Sequence, residues 1–159
     1  MDWTPLLSTL TGAVIGIAAT LIADRSRWRR EEARRVLEVR REVYTEYVSA
    51  LKAAGEEIRA VALGDHRSEA VRDAAVREAV RGTGVYTAGE RLWLVAPPRV
   101  VEAGNEAFHC LRALRDAYAR GAAVGSADDA PLIERRRRAM ARMRQVMRED
   151  LGIAPLGIE

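Results

Sequence analysis

Residues 5–23 read PLLSTLTGAVIGIAATLIA, nineteen positions, Pro5 to Ala23, without a single charge. At about 1.5 Å rise per residue such a run spans roughly 28 Å as a helix, close to the ~30 Å hydrocarbon core of a bilayer. Leu6, Leu7, Leu10, Val14, Ile15, Ile17, Leu21 and Ile22 each favour insertion by about 0.3–0.6 kcal/mol. The run therefore predicts a transmembrane helix, with the rest of the chain hung from one membrane surface. Ahead of it lie only Met1, Asp2, Trp3 and Thr4; behind it come Arg25, Arg27, Arg29, Arg30, Arg34 and Arg35. Arginine near a membrane end stays cytoplasmic, so the amino terminus is expected outside and the body inside. The same arginines suit anionic lipid headgroups, and Trp3 and Trp28 suit the two interfacial zones. A cleaved signal peptide would carry a basic n-region, where this chain has Asp2. A buried helix of a soluble core is the third alternative, disfavoured by a charge-free run of this length at the amino terminus, and a surface-lying amphipathic helix would need a polar face that the run lacks.

Within the span, Ser8, Gly12, Gly16 and Thr20 recur every four residues. Gly12 and Gly16 form GxxxG, which lets two backbones approach closely where lipid supplies no hydrophobic drive. That stripe predicts a homodimer face, or contact with another membrane protein.

Beyond the anchor remain enough residues for one domain. Hydrophobic residues make up 48% of the chain and aromatics 5%, an Ala/Leu/Val/Arg/Glu-rich composition that favours helix over sheet. The net charge of +3 is modest and fits a cytoplasmic face next to anionic lipid. Cys110 is the sole cysteine, so there is no intramolecular disulfide, as a reducing compartment requires.

From Asp24 to about Leu63 the pattern predicts one long helix continuing out of the bilayer. Leu37, Tyr44, Leu51 and Ile58 fall seven apart, Tyr47, Ala54 and Val61 form the companion row, and Val36, Val43 and Val48 widen the seam. So wide an a/d seam suits a bundle better than a lone two-stranded coiled coil. Gly64 ends it. Ser68 caps a second helix with Ala70, Val71, Ala74, Ala75 and Val80 as its apolar stripe. Gly82 and Gly84 break it, and the pattern resumes through Val85, Tyr86, Leu92 and Trp93 until Pro97 and Pro98. Leu92 to Val95 could pass for a short strand, but nothing nearby offers it a partner. A third helix opens at Pro98, buries Val100, Val101, Ala107, Phe108, Leu111, Leu114 and Tyr118, and closes at Gly121. Asp128 or Asp129 caps a fourth, whose core side is Ile133, Met140, Met143, Val146, Met147 and Leu151. The expectation is an all-α protein. Residues 1–23 form a transmembrane anchor running into a long helix, 24–151 an antiparallel cytoplasmic bundle of about four helices, and 152–159 a short tail.

Little of the chain points to catalysis. Glu106 and His109 match the Glu-x-x-His pair of dimetal bundles, but that chemistry needs a second pair, and none exists. GTGVYTAG, residues 82–89, matches no nucleotide fingerprint, and no HExxH, CxxC or nucleophile elbow is present. No enzyme activity, metal, cofactor or small-molecule substrate is expected. A second basic run, Arg135, Arg136, Arg137 and Arg138, is a candidate contact for an anionic partner. Four consecutive arginines point all round a helix, so at least one must snorkel or pair near the core. Nucleic acid is the weaker reading there, because no DNA-binding motif is present and no aromatics interleave the arginines.

The order of LIADRSRWRREE after the span, then RREVYTEYVSAL, then LVAPPRVVEAGNEAF resembles small actinobacterial single-span membrane proteins of the KilB/CchlQ-like type. The resemblance implies the same anchored helical architecture and, through KilB, an association with plasmid spread in mycelial hosts. It supplies no catalytic residue. The functional expectation is a non-catalytic, single-pass protein of the cell membrane that mediates protein contacts at the cytoplasmic face. The alternative is a membrane-tethered nucleic-acid-binding or plasmid-spread protein using basic helix faces.

Overall fold

The computed structural model of the chain describes the backbone of residues 4–65 and 68–154, and the side chains of residues 25, 27–65 and 68–154. Among the described residues five helices follow in order: α1 (Thr4–Leu63), α2 (Glu69–Gly82), α3 (Val85–Val95), α4 (Pro98–Ala119) and α5 (Asp129–Asp150). Among the described residues there is no strand, so the protein is all-α and Leu92 to Val95 is helical. The chain divides into two units, Met1–Glu38 and Val39–Glu159. Among the described residues no helix is long and apolar enough to cross a membrane. The side chains of the expected span, Pro5 to Ala23, and of its Ser8, Gly12, Gly16 and Thr20 stripe lie outside the described ones.

In the first unit every described side chain is exposed, including Trp28 at 77%, Val36 at 43% and Leu37 at 40%. Leu37 and Val36 are therefore not part of the buried seam, which begins at Val43. A heptad position is buried only where another helix lies alongside it, and periodicity alone cannot report where that starts.

In the second unit Tyr44, Tyr47, Leu51, Ala54 and Ile58 form the buried stripe of α1. Val100, Ala107, Leu111, Leu114 and Tyr118 of α4 and Met140, Met143 and Met147 of α5 complete the main core. Each large aliphatic side chain so buried contributes about 1.5–3 kcal/mol. Paired contacts give the helix directions. On α1 and α5, Tyr44 meets Asp150 and Leu51 meets Arg136, so those helices are antiparallel. On α4 and α5, Arg99 meets Asp150 and Glu106 meets Arg142, again antiparallel. The bundle has four rods, and the second rod is in two pieces, α2 and α3.

The break between those pieces falls where the glycines predicted it. Gly84 adopts φ +69°, a left-handed conformation that costs glycine nothing, and starts α3. The described residues thus form five helices where about four were expected. The apolar stripe of α2 also needs correction. Ala70, Val71 and Ala74 are exposed, and the buried pair is Val76 and Val80. A stripe of alanines carries too little contrast to set the rotation of a helix, so the neighbouring rods set it.

The caps follow local chemistry. Ser68 Oγ accepts from the Val71 amide at 3.3 Å, as expected of an N-cap. Pro98 takes the first turn of α4, where its missing N–H costs nothing. Gly121 turns the chain out of α4 at φ +97°. The start of α5 departs from expectation. Asp128 makes no capping bond, and Asp129 is turned inward. It is the Ser126 hydroxyl that accepts the Asp129 amide, at 3.3 Å.

Candidate functional site

The residues singled out in the sequence fall into three groups. Arg25, Arg27, Arg29, Arg30, Arg34 and Arg35 are all exposed. Arg135 to Arg138 are not one basic patch. Arg136 is half-buried and reaches across α1, its Nη2 donating to the Leu51 carbonyl at 3.0 Å. Gly55 makes that crossing possible, since a Cβ there would fall on the guanidinium. Burial pushes the Arg136 pKa down. Arg137 and Arg138 both pair with Glu134, at 2.9 and 2.8 Å. The inward arginine that the run required is thus Arg136. The Glu106–His109 pair is likewise dispersed. Glu106 faces Arg142 at 3.6 Å and His109 is exposed. Among the described residues no group of three or more His, Cys, Asp or Glu could hold a metal ion. Cys110 is a buried core residue, 3% exposed.

The second unit brings together residues the sequence left scattered. The chain holds only three Trp, four Tyr and one Phe. Half of these, Tyr47, Tyr86, Trp93 and Phe108, line one cleft of about 110 Å³, together with Glu90 and Asn105. The placement follows from helical spacing. Tyr86, Gly89, Glu90 and Trp93 sit at i, i+3, i+4 and i+7 of α3 and share one face. Asn105 and Phe108 sit three apart on α4. Gly89 lies against the Tyr47 ring, its Cβ position 3.6 Å from Tyr47 Cε2. Two contacts fix the walls. The Tyr47 hydroxyl donates to the Gly104 carbonyl at 3.1 Å, and the rings of Tyr86 and Phe108 meet edge to face, 5.6 Å apart at 78°. Burial holds the Tyr47 phenol neutral, its pKa pushed up to about 12. Tyr86 and Trp93 stay 47% and 61% exposed, so one side of the cleft is open to solvent. Neither the Glu90 carboxylate nor the Asn105 side chain bonds to another described residue.

Two buried carboxylates tie the rods together, one near each end of α5. Asp150, its side chain 6% exposed, accepts Tyr44 Oη at 2.7 Å and pairs with Arg40 at 3.2 Å and Arg99 at 3.4 Å. Arg40 Nε also donates to the Val95 carbonyl at 3.1 Å, which ties the end of α3 to α1. Asp129, 2% exposed, accepts Tyr118 Oη at 2.7 Å and the Gly125 amide at 2.8 Å. In the sequence Asp129 stood only as a candidate cap, and Asp150 gave no signal of its role.

Close packing at the cleft floor gives a prediction. A Cβ on Gly104 would lie 2.8 Å from Leu92 Cδ2 and 3.1 Å from Tyr47 Cε1. Gly104→Ala is therefore expected to destabilise by about 1–2 kcal/mol, overpacking outweighing alanine's better helix propensity. Gly82→Ala meets nothing within 4 Å and should be neutral or stabilising by up to about 1 kcal/mol. Urea unfolding of both variants checks the pair; equal effects would refute the crowding at Gly104.

No family model, curated protein or solved structure matches the chain.

Proposed function

We propose that the chain is a single-span, membrane-anchored helical module that works through protein contacts at the cytoplasmic face rather than through catalysis. One feature carries the reading: the uncharged run Pro5 to Ala23 followed at once by an arginine-rich flank. A charge-free stretch of that length matches a bilayer, and basic residues on one side orient it. The exposure of Arg25 to Arg35 supports the reading, since headgroup contact requires free guanidiniums. The Ser8, Gly12, Gly16, Thr20 stripe supplies a face for a second copy. Likeness to the KilB/CchlQ-type proteins fits the same role and extends it to plasmid spread. The nucleic-acid alternative is weaker, because Arg136, Arg137 and Arg138 are each engaged within the chain.

Fractionation tests the anchor. The full chain should pellet with membranes and resist carbonate extraction. Ile15→Arg should release much of it, since a central arginine costs about 2.5–3.5 kcal/mol of insertion. Recovery of the unmodified chain in the low-salt soluble fraction would overturn the proposal. Single cysteines in place of Asp2 and Pro155, labelled from outside the cell, report the orientation: only the first should react.

A further inference from the structure

We propose that the cleft between α3 and α4, where Tyr47, Tyr86, Trp93 and Phe108 converge beside the Glu90 carboxylate, binds a small quaternary ammonium group. This goes beyond the anchoring role and is independent of it.

An aromatic ring carries a negative face, and a cation set against such a face is attracted by the ring quadrupole. In a chain this poor in aromatics, their convergence on one cleft is the feature that calls for explanation. Glu90 supplies a countercharge at the rim. Arg91, next to it in sequence, does not cancel that charge, because its guanidinium is held by Glu42 and Glu46 of α1. The cavity's size sets the scale of the ligand. About 110 Å³ is well under the ~300 Å³ at which pockets for cofactors and drug-sized molecules begin, so a headgroup-sized cation fits and a nucleotide does not.

The polar inventory selects the type of cation. A primary ammonium brings three N–H donors, each needing an acceptor. The lining is mostly carbon, and besides the phenols its polar side chains are the Glu90 carboxylate and the Asn105 amide. A quaternary ammonium carries no N–H and presents only methyl groups to the rings. Its charge is satisfied by ring faces and one carboxylate without an unpaired donor. The trimethylammonium group occurs both in free choline-type solutes and in the phosphocholine headgroup of lipids; the walls recognise what the two share.

Isothermal titration of the full chain in maltoside micelles, free of phosphocholine detergent, tests the assignment. Choline chloride should bind saturably, and its neutral isostere 3,3-dimethylbutanol at least about tenfold more weakly, because only the charge engages the quadrupoles. Trp93→Ala should weaken choline about tenfold, Trp93→Phe less, and Glu90→Gln severalfold. Trp93 is 61% exposed, so these variants leave the core intact, and unchanged far-UV circular dichroism verifies it. A parallel titration with glycerophosphocholine separates the sources: tighter binding than choline assigns the lipid headgroup, weaker binding the free solute. The proposal is overturned if neither ligand binds, if the isostere matches choline, or if Trp93→Ala binds choline as the parent does.

Discussion

Replacing Asp150 with alanine is expected to lower the stability of the full chain by about 2–4 kcal/mol, read from urea unfolding followed by circular dichroism. Asp150 closes α5, where a carboxylate faces the negative end of the helix dipole and is disfavoured by itself. It is kept there by three donors: Tyr44, Arg40 and Arg99. Removal leaves the Tyr44 hydroxyl without an acceptor inside a residue only 3% exposed, which costs about 1–3 kcal/mol. Arg40 keeps the Val95 carbonyl and its side chain is 28% exposed, so its loss is smaller. Arg99, at 56%, contributes less than about 1 kcal/mol. Relief of the unfavourable dipole returns a few tenths. Because Tyr44 carries much of the penalty, Tyr44→Phe combined with Asp150→Ala should cost at least about 1 kcal/mol less than the two singles added. An Asp150→Ala variant within 0.5 kcal/mol of the parent, on the order of an ordinary surface substitution, would show that the clamp does not hold α5.

The second large effect is alkaline unfolding. Tyr44, Tyr47 and Tyr118 are 3%, 3% and 1% exposed. Burial raises the pKa of all three; acceptance by Asp150 and Asp129 adds to it for Tyr44 and Tyr118. Tyr47 and Tyr118 are pushed up to about 12, and Tyr44 is raised further. Each phenol is thus neutral in the fold at a pH where it ionises in the unfolded chain, near 10. The sign follows: this stability is complete below pH ~10 and is lost as pH rises, since the unfolded chain releases protons that the fold retains. Each tyrosine steepens the loss by at most about 1.4 kcal/mol per pH unit, so three together make it abrupt between pH ~10 and ~12. Loss of helicity and appearance of tyrosinate absorbance should coincide in that window. Retained helicity with the buried phenols ionised would refute the account. Tyr47→Phe should make the pH dependence shallower.

Much of the second unit was legible in the chain. The spacing of Tyr44, Tyr47, Leu51, Ala54 and Ile58 identified the buried face of α1, because a 3.6-residue period is a property of the helix itself. Ser68, Pro98, Gly84 and Gly121 marked ends and breaks, because each acts through its own backbone or side chain within a turn. The requirement that one of four consecutive arginines turn inward was geometric, and Arg136 meets it. The cleft left a partial signal: Tyr86, Glu90 and Trp93 share a helical face. Nothing in the sequence said that Tyr47 and Phe108, from two other helices, would complete it.

What the amino-acid order determined alone was the class and the local punctuation: helices, most of their ends and breaks, and an uncharged run of membrane length. Those follow from interactions between residues a few positions apart. Tertiary structure decided which apolar faces are covered, so that Val76 is buried and Leu37 is exposed. It also decided that Asp129 and Asp150 become buried acceptors, and that four aromatic rings meet across α1, α3 and α4. These outcomes depend on how whole rods are rotated and staggered against one another. That is settled by the summed packing of many side chains, and no short stretch of sequence carries it.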